Sequence, residues 1–85
     1  MSEPRAHRLK RLKMRSMRRG IKEMDLILSA YAEANLAQLD PAALDLYDRL
    51  LHENDQDLYQ WVTGQASVPV PYGELITDIS QTFQK

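Results

Sequence analysis

An all-α fold, a small five-helix bundle forming one domain over residues 1–85, is predicted by three features of the sequence. Apolar residues recur at three- and four-residue spacing along most of the chain. Proline and glycine punctuate those segments, at Pro4, Gly20, Pro41, Gly64, Pro69 and Pro71. No alternating apolar–polar stretch exceeds Val68–Val70, which is too short for a strand.

Each element has its own signal. Pro4 suits the first turn of a basic helix over about 4–19, with Ser2 as its N-cap and Leu9 and Leu12 marking one face. Gly20 breaks or bends the chain, because glycine inside a helix costs about 1 kcal/mol relative to alanine. Ile21, Met24, Leu28 and Tyr31 then form an apolar stripe, widened by Ile27 and Ala34, on a helix running to about Ala37. Asp40-Pro41 is a strong start signal, Asp40 capping and Pro41 entering the first turn. Leu44, Tyr47, Leu50 and Leu51 line that third helix, which is expected to end near Glu53-Asn54. A short fourth helix is read from Asp55 as N-cap, through Leu58, Trp61 and Val62, to Gly64 as its stop. Residues 65–70 form a loop, and a last helix buries Leu75, Ile76, Ile79 and Phe83. The acidic helical body so defined covers about 21–84.

Size and composition narrow the function classes. A chain of 85 residues buries about 60–65 % of the surface its unfolded form exposes, which leaves little core in which to carve an enclosed active site. The absence of cysteine removes disulfides, thiolate nucleophiles and cysteine metal sites together. His7 and His52 have no partner at helical metal-ligand spacing, so no metal is expected and both read as solvated. Three glycines build no phosphate-cradling loop, and the serines carry no nucleophile-elbow context. Acids at Glu53, Asp55 and Asp57 are what a helix dipole favours at its start. These observations point to a non-catalytic binding protein.

The net charge of −1 conceals an asymmetry: nine cations against two acids in residues 1–24, and two cations against ten acids in 25–85. A basic arm beside an acidic body generally meets something anionic. Nucleic acid is the obvious candidate, yet no aromatic residue precedes Tyr31, and no Asn or Gln is poised to read bases. A nucleic-acid-binding or antitoxin-like regulator using this arm is the alternative reading, and no nucleic-acid partner is expected on the first one. No apolar run approaches a membrane span and no secretory signal opens the chain, so no membrane insertion is expected. Nothing in the arm suggests an obligate dimer, and a monomer is expected.

The junction Met17-Arg18-Arg19-Gly20-Ile21-Lys22-Glu23-Met24-Asp25 carries the chemistry. A glycine between two helices lets another backbone approach closely, and an arginine there can fork onto a carboxylate or phosphate. Glu23 either favours the helix start and pairs with Arg19 four residues back, or faces a partner. This junction, with its Arg-Gly-x-x-Glu pattern, resembles the signature of the succinate dehydrogenase FAD assembly factors. A second block, Leu50-Leu51-His52-Glu53-Asn54-Asp55-Gln56-Asp57-Leu58-Tyr59-Gln60-Trp61, is similar to that family's Leu-Leu, Glu, Asp-x-Asp-Leu, Trp run. The likeness covers roughly residues 9–80.

The resemblance implies a five-helix fold and an assembly role. Members bind the flavoprotein subunit of succinate dehydrogenase, in some cases that of fumarate reductase, and promote covalent attachment of FAD to a histidine of that subunit. FAD is then the partner's cofactor, none is held stably here, and the bond forms largely by the flavoprotein's own chemistry. The motif positions carried over are Arg19, Gly20 and Glu23, with Arg18 and Asp25 as flanking partner-binding candidates. Trp61 and Asp57 read as core and cap. With about eight residues ahead of the similarity, too few for a transit peptide, a bacterial cytoplasmic setting is expected.

Overall fold

The computed structural model describes residues 3–83, with Phe83 described by its backbone alone. The expectations for Ser2 and for the Phe83 side chain therefore lie outside the described residues. Among the described residues five α-helices follow one another: α1 (Arg5–Arg15), α2 (Lys22–Asn35), α3 (Pro41–Leu50), α4 (Asp55–Val62) and α5 (Gly73–Phe83). Short 3-10 turns at Leu36–Gln38 and Val70–Tyr72 lead out of α2 and into α5.

Helix α1 is shorter than its composition suggests. Pro4 stands at the N-cap position, extended at ψ 145°, and not inside the first turn. The helix stops at Arg15, and the buried Ser16 that follows bonds its hydroxyl to the Leu12 carbonyl (2.8 Å) and to the Tyr47 hydroxyl (2.6 Å). Arg18 then takes φ +55°, a left-handed conformation that no right-handed helix continues.

The next helix starts after an extended Ile21 and buries Met24, Ile27, Leu28, Tyr31 and Ala32. Ala34, assigned to the stripe from sequence, is exposed, and Ala32 takes its place. At 3.6 residues per turn the two lie on different sides of the helix, and only Ala32 faces the bundle.

The Asp40-Pro41 signal holds: the Asp40 carboxylate accepts the Ala43 N–H at 2.8 Å. Helix α3 ends at Leu50, three residues earlier than expected, and the Leu51 carbonyl is taken by the Arg19 guanidinium (3.2 Å). Asn54, not Asp55 or Asp57, caps α4, its side chain accepting the Gln56 N–H at 2.8 Å. Gly64, at φ +80°, closes α4 with paired bonds from Gln65 N–H to Gln60 and from Gly64 N–H to Trp61. That arrangement satisfies two carbonyls a helix end leaves open.

Helix α2 is the centre of the bundle, packed against α1, α4 and α5. Tyr31 and Tyr47 meet in the core with ring centroids 5.6 Å apart. Burial pushes the Tyr47 hydroxyl up to about 12, against a smaller opposing effect of its bond with Ser16. Trp61, expected in the core, is half-buried and stacks on Tyr72 at 5.9 Å, packing on the core's edge.

Only Leu12 among the apolar residues of α1 is fully buried, so charge completes its attachment. Arg8 pairs with Asp45, Arg11 with Glu3 and Asp48, Arg15 with Asp48, and Lys13 with Glu33. Arg5 donates to the carbonyls of Ala37 and Leu39. The anionic counterpart of the basic helix is thus, in large part, the acidic body of the same chain.

Candidate partner-binding site

The connection between α1 and α2 is built around one carboxylate. Asp55, first residue of α4, accepts the Gly20 N–H on Oδ2 (2.6 Å) and the Arg19 Nε–H on Oδ1 (2.9 Å). The second terminal nitrogen of Arg19 lies 2.7 Å from the same Oδ1. Arg19 also donates to the carbonyls of Arg15 (2.9 Å) and Leu51 (3.2 Å). Its side chain is 12 % exposed and that of Asp55 15 %, so this ion pair is largely removed from water. In such surroundings charge-assisted bonds are worth about 1.5–3 kcal/mol each.

Gly20 has a structural reason to lack a side chain. A Cβ there would sit 3.2 Å from the Asp55 Oδ2, so any other residue requires the carboxylate to give by a few tenths of an ångström. The close approach that the sequence suggested is therefore made by this chain's own Asp55. A second carboxylate fixes the preceding turn: Asp25 accepts the Arg18 N–H at 2.9 Å and the Ser29 hydroxyl at 3.2 Å. This bond stabilises the left-handed Arg18.

The five sequence candidates thus separate. Arg19, Gly20 and Asp25 are engaged within the chain, through side chain, backbone and side chain respectively. Arg18 directs its side chain to solvent, and Glu23 is exposed in the first turn of α2. Among the described residues no hydrogen bond or ion pair holds the side chain of either. The i, i+4 pairing of Glu23 with Arg19 does not form, because Asp55 takes the guanidinium.

Sequence reasoning missed Asp55, which it read as a helix cap, and Ser16. The signal for Asp55 was present: Asn54 before it is an equally good cap, leaving the aspartate free for another task. An open hollow of about 590 Å³ lies between α1 and α3, walled by Arg8, Asp45, Asp48, Arg49, His52, Glu53 and Tyr72. None of the motif residues lines it. Asp48 there is held below the usual carboxylate range: burial alone would raise it, but hydrogen bonds from Arg15 and Arg11 outweigh that. Among the described residues no group of three acids or histidines is placed to hold a metal ion.

Comparison with known proteins agrees with the motif. A family model described as flavinator of succinate dehydrogenase matches residues 10–83. The chain is 40 % identical over 84 residues to the protein named succinate dehydrogenase assembly factor 2, mitochondrial, of Meyerozyma guilliermondii. That alignment covers 98 % of this chain and 62 % of the relative. Proteins of the same name from Scheffersomyces stipitis and Aspergillus terreus are each 48 % identical, over 62 and 56 residues. These alignments cover 72 % and 66 % of this chain, against 42 % and 19 % of the relatives. The chain therefore spans less than two thirds of the length of these relatives.

One expectation is overturned by the same finding. The similar proteins carry "mitochondrial" in their names and come from fungi, which contradicts a bacterial cytoplasmic setting. That expectation rested on the few residues ahead of the similarity, and such a length says nothing of compartment where the relatives are longer than this chain. With a match running through nearly all of its helices, the chain belongs to the flavinator of succinate dehydrogenase family.

Proposed function

We propose that this chain is an assembly factor that binds the flavoprotein subunit of succinate dehydrogenase and promotes covalent attachment of that subunit's FAD. The observation that carries the reading is the Arg19–Asp55–Gly20 clamp, which ties the two family-like sequence blocks into one unit. The clamp holds the α1–α2 turn rigid, with the Arg18 and Glu23 side chains directed outward from it. Such a surface suits recognition, in which the cost of ordering a loop is met before the partner arrives.

In this reading the factor is not itself a catalyst and holds no FAD stably. Glu23 offers a carboxylate to a backbone N–H or a cation of the flavoprotein, and Arg18 offers a guanidinium to a carboxylate. Arg19, Gly20 and Asp25 act behind them by setting the turn. The partner's domains are thereby held in the arrangement in which its own histidine and flavin react. The relatives' names place those proteins in the mitochondrion, and that compartment is the one adopted for this chain.

In-gel flavin fluorescence of the denatured flavoprotein, from cells with and without this gene, tests the reading. Covalent flavin should be lost without the gene, restored by the wild type, and not restored by Glu23→Ala. Unchanged covalent flavin in cells lacking the gene would refute the role.

A further inference from the structure

Gly73 is a glycine that the fold does not require. It opens α5 at φ −52° and ψ −56°, a helical conformation that any residue adopts. A Cβ there meets no atom within 4 Å, in contrast to Gly20. Glycine is also a poorer helix former than alanine, so its presence costs stability. What it leaves is open space, and two surface hollows adjoin there. One, of about 300 Å³ between α4 and α5, is walled by Trp61, Val68 and Ile76. The other, of about 540 Å³, is walled by Val70, Glu74 and Asp78. Gly73 and Thr77 line both. Val70 is 94 % exposed, and Pro69 and Pro71 on either side restrain the backbone that presents it. Glu74 and Asp78 are exposed one helical turn apart, a spacing at which like charges repel. Among the described residues no ion pair or hydrogen bond holds either carboxylate. From Leu50 to Gln84 the sequence offers no lysine or arginine to neutralise them. This face stands apart from the motif turn. Asp55, which holds that turn, opens α4, whereas Trp61 lies near its end, about 9 Å further along the helix.

We propose that this α4–α5 face is a second docking surface, for an extended segment of a protein other than the flavoprotein, carrying arginine beside aliphatic side chains. Charge complementarity selects that occupant. A guanidinium set between Glu74 and Asp78 relieves their repulsion, and its planar fork matches carboxylates. The backbone of the segment passes over Gly73, where no side chain obstructs it. An aliphatic residue then enters the hollow beside Trp61, an aromatic of the kind that anchors protein interfaces. Val70 is held in place by its prolines before the segment arrives, which lowers the ordering cost of binding. The proposal goes beyond the assembly-factor reading, which gives the flavoprotein the motif turn and leaves this face free.

Trp61 is the chain's single tryptophan and lines the first hollow, so its fluorescence reports on occupancy. Titration with the synthetic peptide acetyl-Leu-Arg-Val-Arg-Leu-amide should change that fluorescence saturably. The same peptide with glutamate in place of both arginines should leave it unchanged. Gly73→Leu and Asp78→Lys should each weaken peptide binding about ten-fold or more, the scale of a central interface residue. Gly73→Leu should nonetheless melt no lower than the wild type, because leucine is the better helix former and its Cβ meets nothing. A glycine kept for the fold alone would give the reverse, a lower melting temperature with binding unchanged. No saturable response to the arginine peptide, or undiminished binding by Gly73→Leu, overturns the surface. Calorimetric titration of the purified flavoprotein subunit with the wild type and with Gly73→Leu identifies the occupant. Equal affinity is expected, and a loss in the variant gives the face to the flavoprotein and overturns the second partner.

Discussion

Arg18 is the one non-glycine residue with positive φ among those described, and it sits in the motif turn. An L-residue there costs about 1–2 kcal/mol, a cost tolerated where the surroundings fix the geometry. Asp25 supplies that restraint through the backbone N–H, which any residue at position 18 retains. Arg18→Gly should therefore raise unfolding stability by up to about 1 kcal/mol, measured by denaturant titration, the relieved strain exceeding glycine's added unfolded-state entropy, while removing a solvent-exposed charge. Asp55 gives the opposite case. Asp55→Ala leaves a largely buried guanidinium and the Gly20 N–H without their acceptor, and should cost about 2–3 kcal/mol. Gly20→Arg presses on the same carboxylate and should lower the melting temperature, whereas Glu23→Ala should leave it unchanged. Equal melting of all three variants would show that the clamp contributes nothing. Glu23→Ala is thus the cleaner probe of the proposed partner recognition, because it tests binding without disturbing the clamp.

Helix α1 is joined to α3 chiefly by Asp48, which receives both Arg15 (2.5 Å) and Arg11 (3.3 Å). The carboxyl titrates lower in the folded chain than in the unfolded one, so the unfolded state takes up the proton first as pH falls. Its contribution is complete above the unfolded value of about 4 and is lost as pH drops through the depressed folded one. Asp48→Asn should accordingly cost about 0.5–1 kcal/mol at neutral pH and flatten the acid limb of the stability curve. The helices were legible in sequence wherever their signals are local. Asp40-Pro41 starts α3 and Gly64 ends α4 through bonds a few residues long. Other boundaries were not legible, because their determinants are distant in sequence. Ser16, just past the end of α1, is bonded to Tyr47, 31 positions on, and Asp55 is drawn from capping by Gly20, 35 positions back. The motif could be found from its spacing, but which members face outward depends on an aspartate in another block.

Across the whole molecule, the contrast between a basic first quarter and an acidic remainder is resolved mostly by the chain itself. Six of the nine cations in residues 1–24 are bound to acids or carbonyls of the chain, so the nucleic-acid reading loses the free charge on which it depended. Such an attachment has a different character from the rest of the bundle. Helices α2 to α5 are held by apolar packing that salt does not screen, whereas α1 contributes one fully buried apolar side chain and a row of partly exposed ion pairs. Hydrogen-exchange mass spectrometry should therefore find the amides of α1 exchanging by an opening of lower free energy than those of α2, with the gap widening as ionic strength rises. If both helices exchange through one global event at every salt concentration, α1 is no separate unit. If α1 lifts first, the protein can loosen one cooperative segment around an intact four-helix remainder, and ionic strength becomes the control on how often it does so.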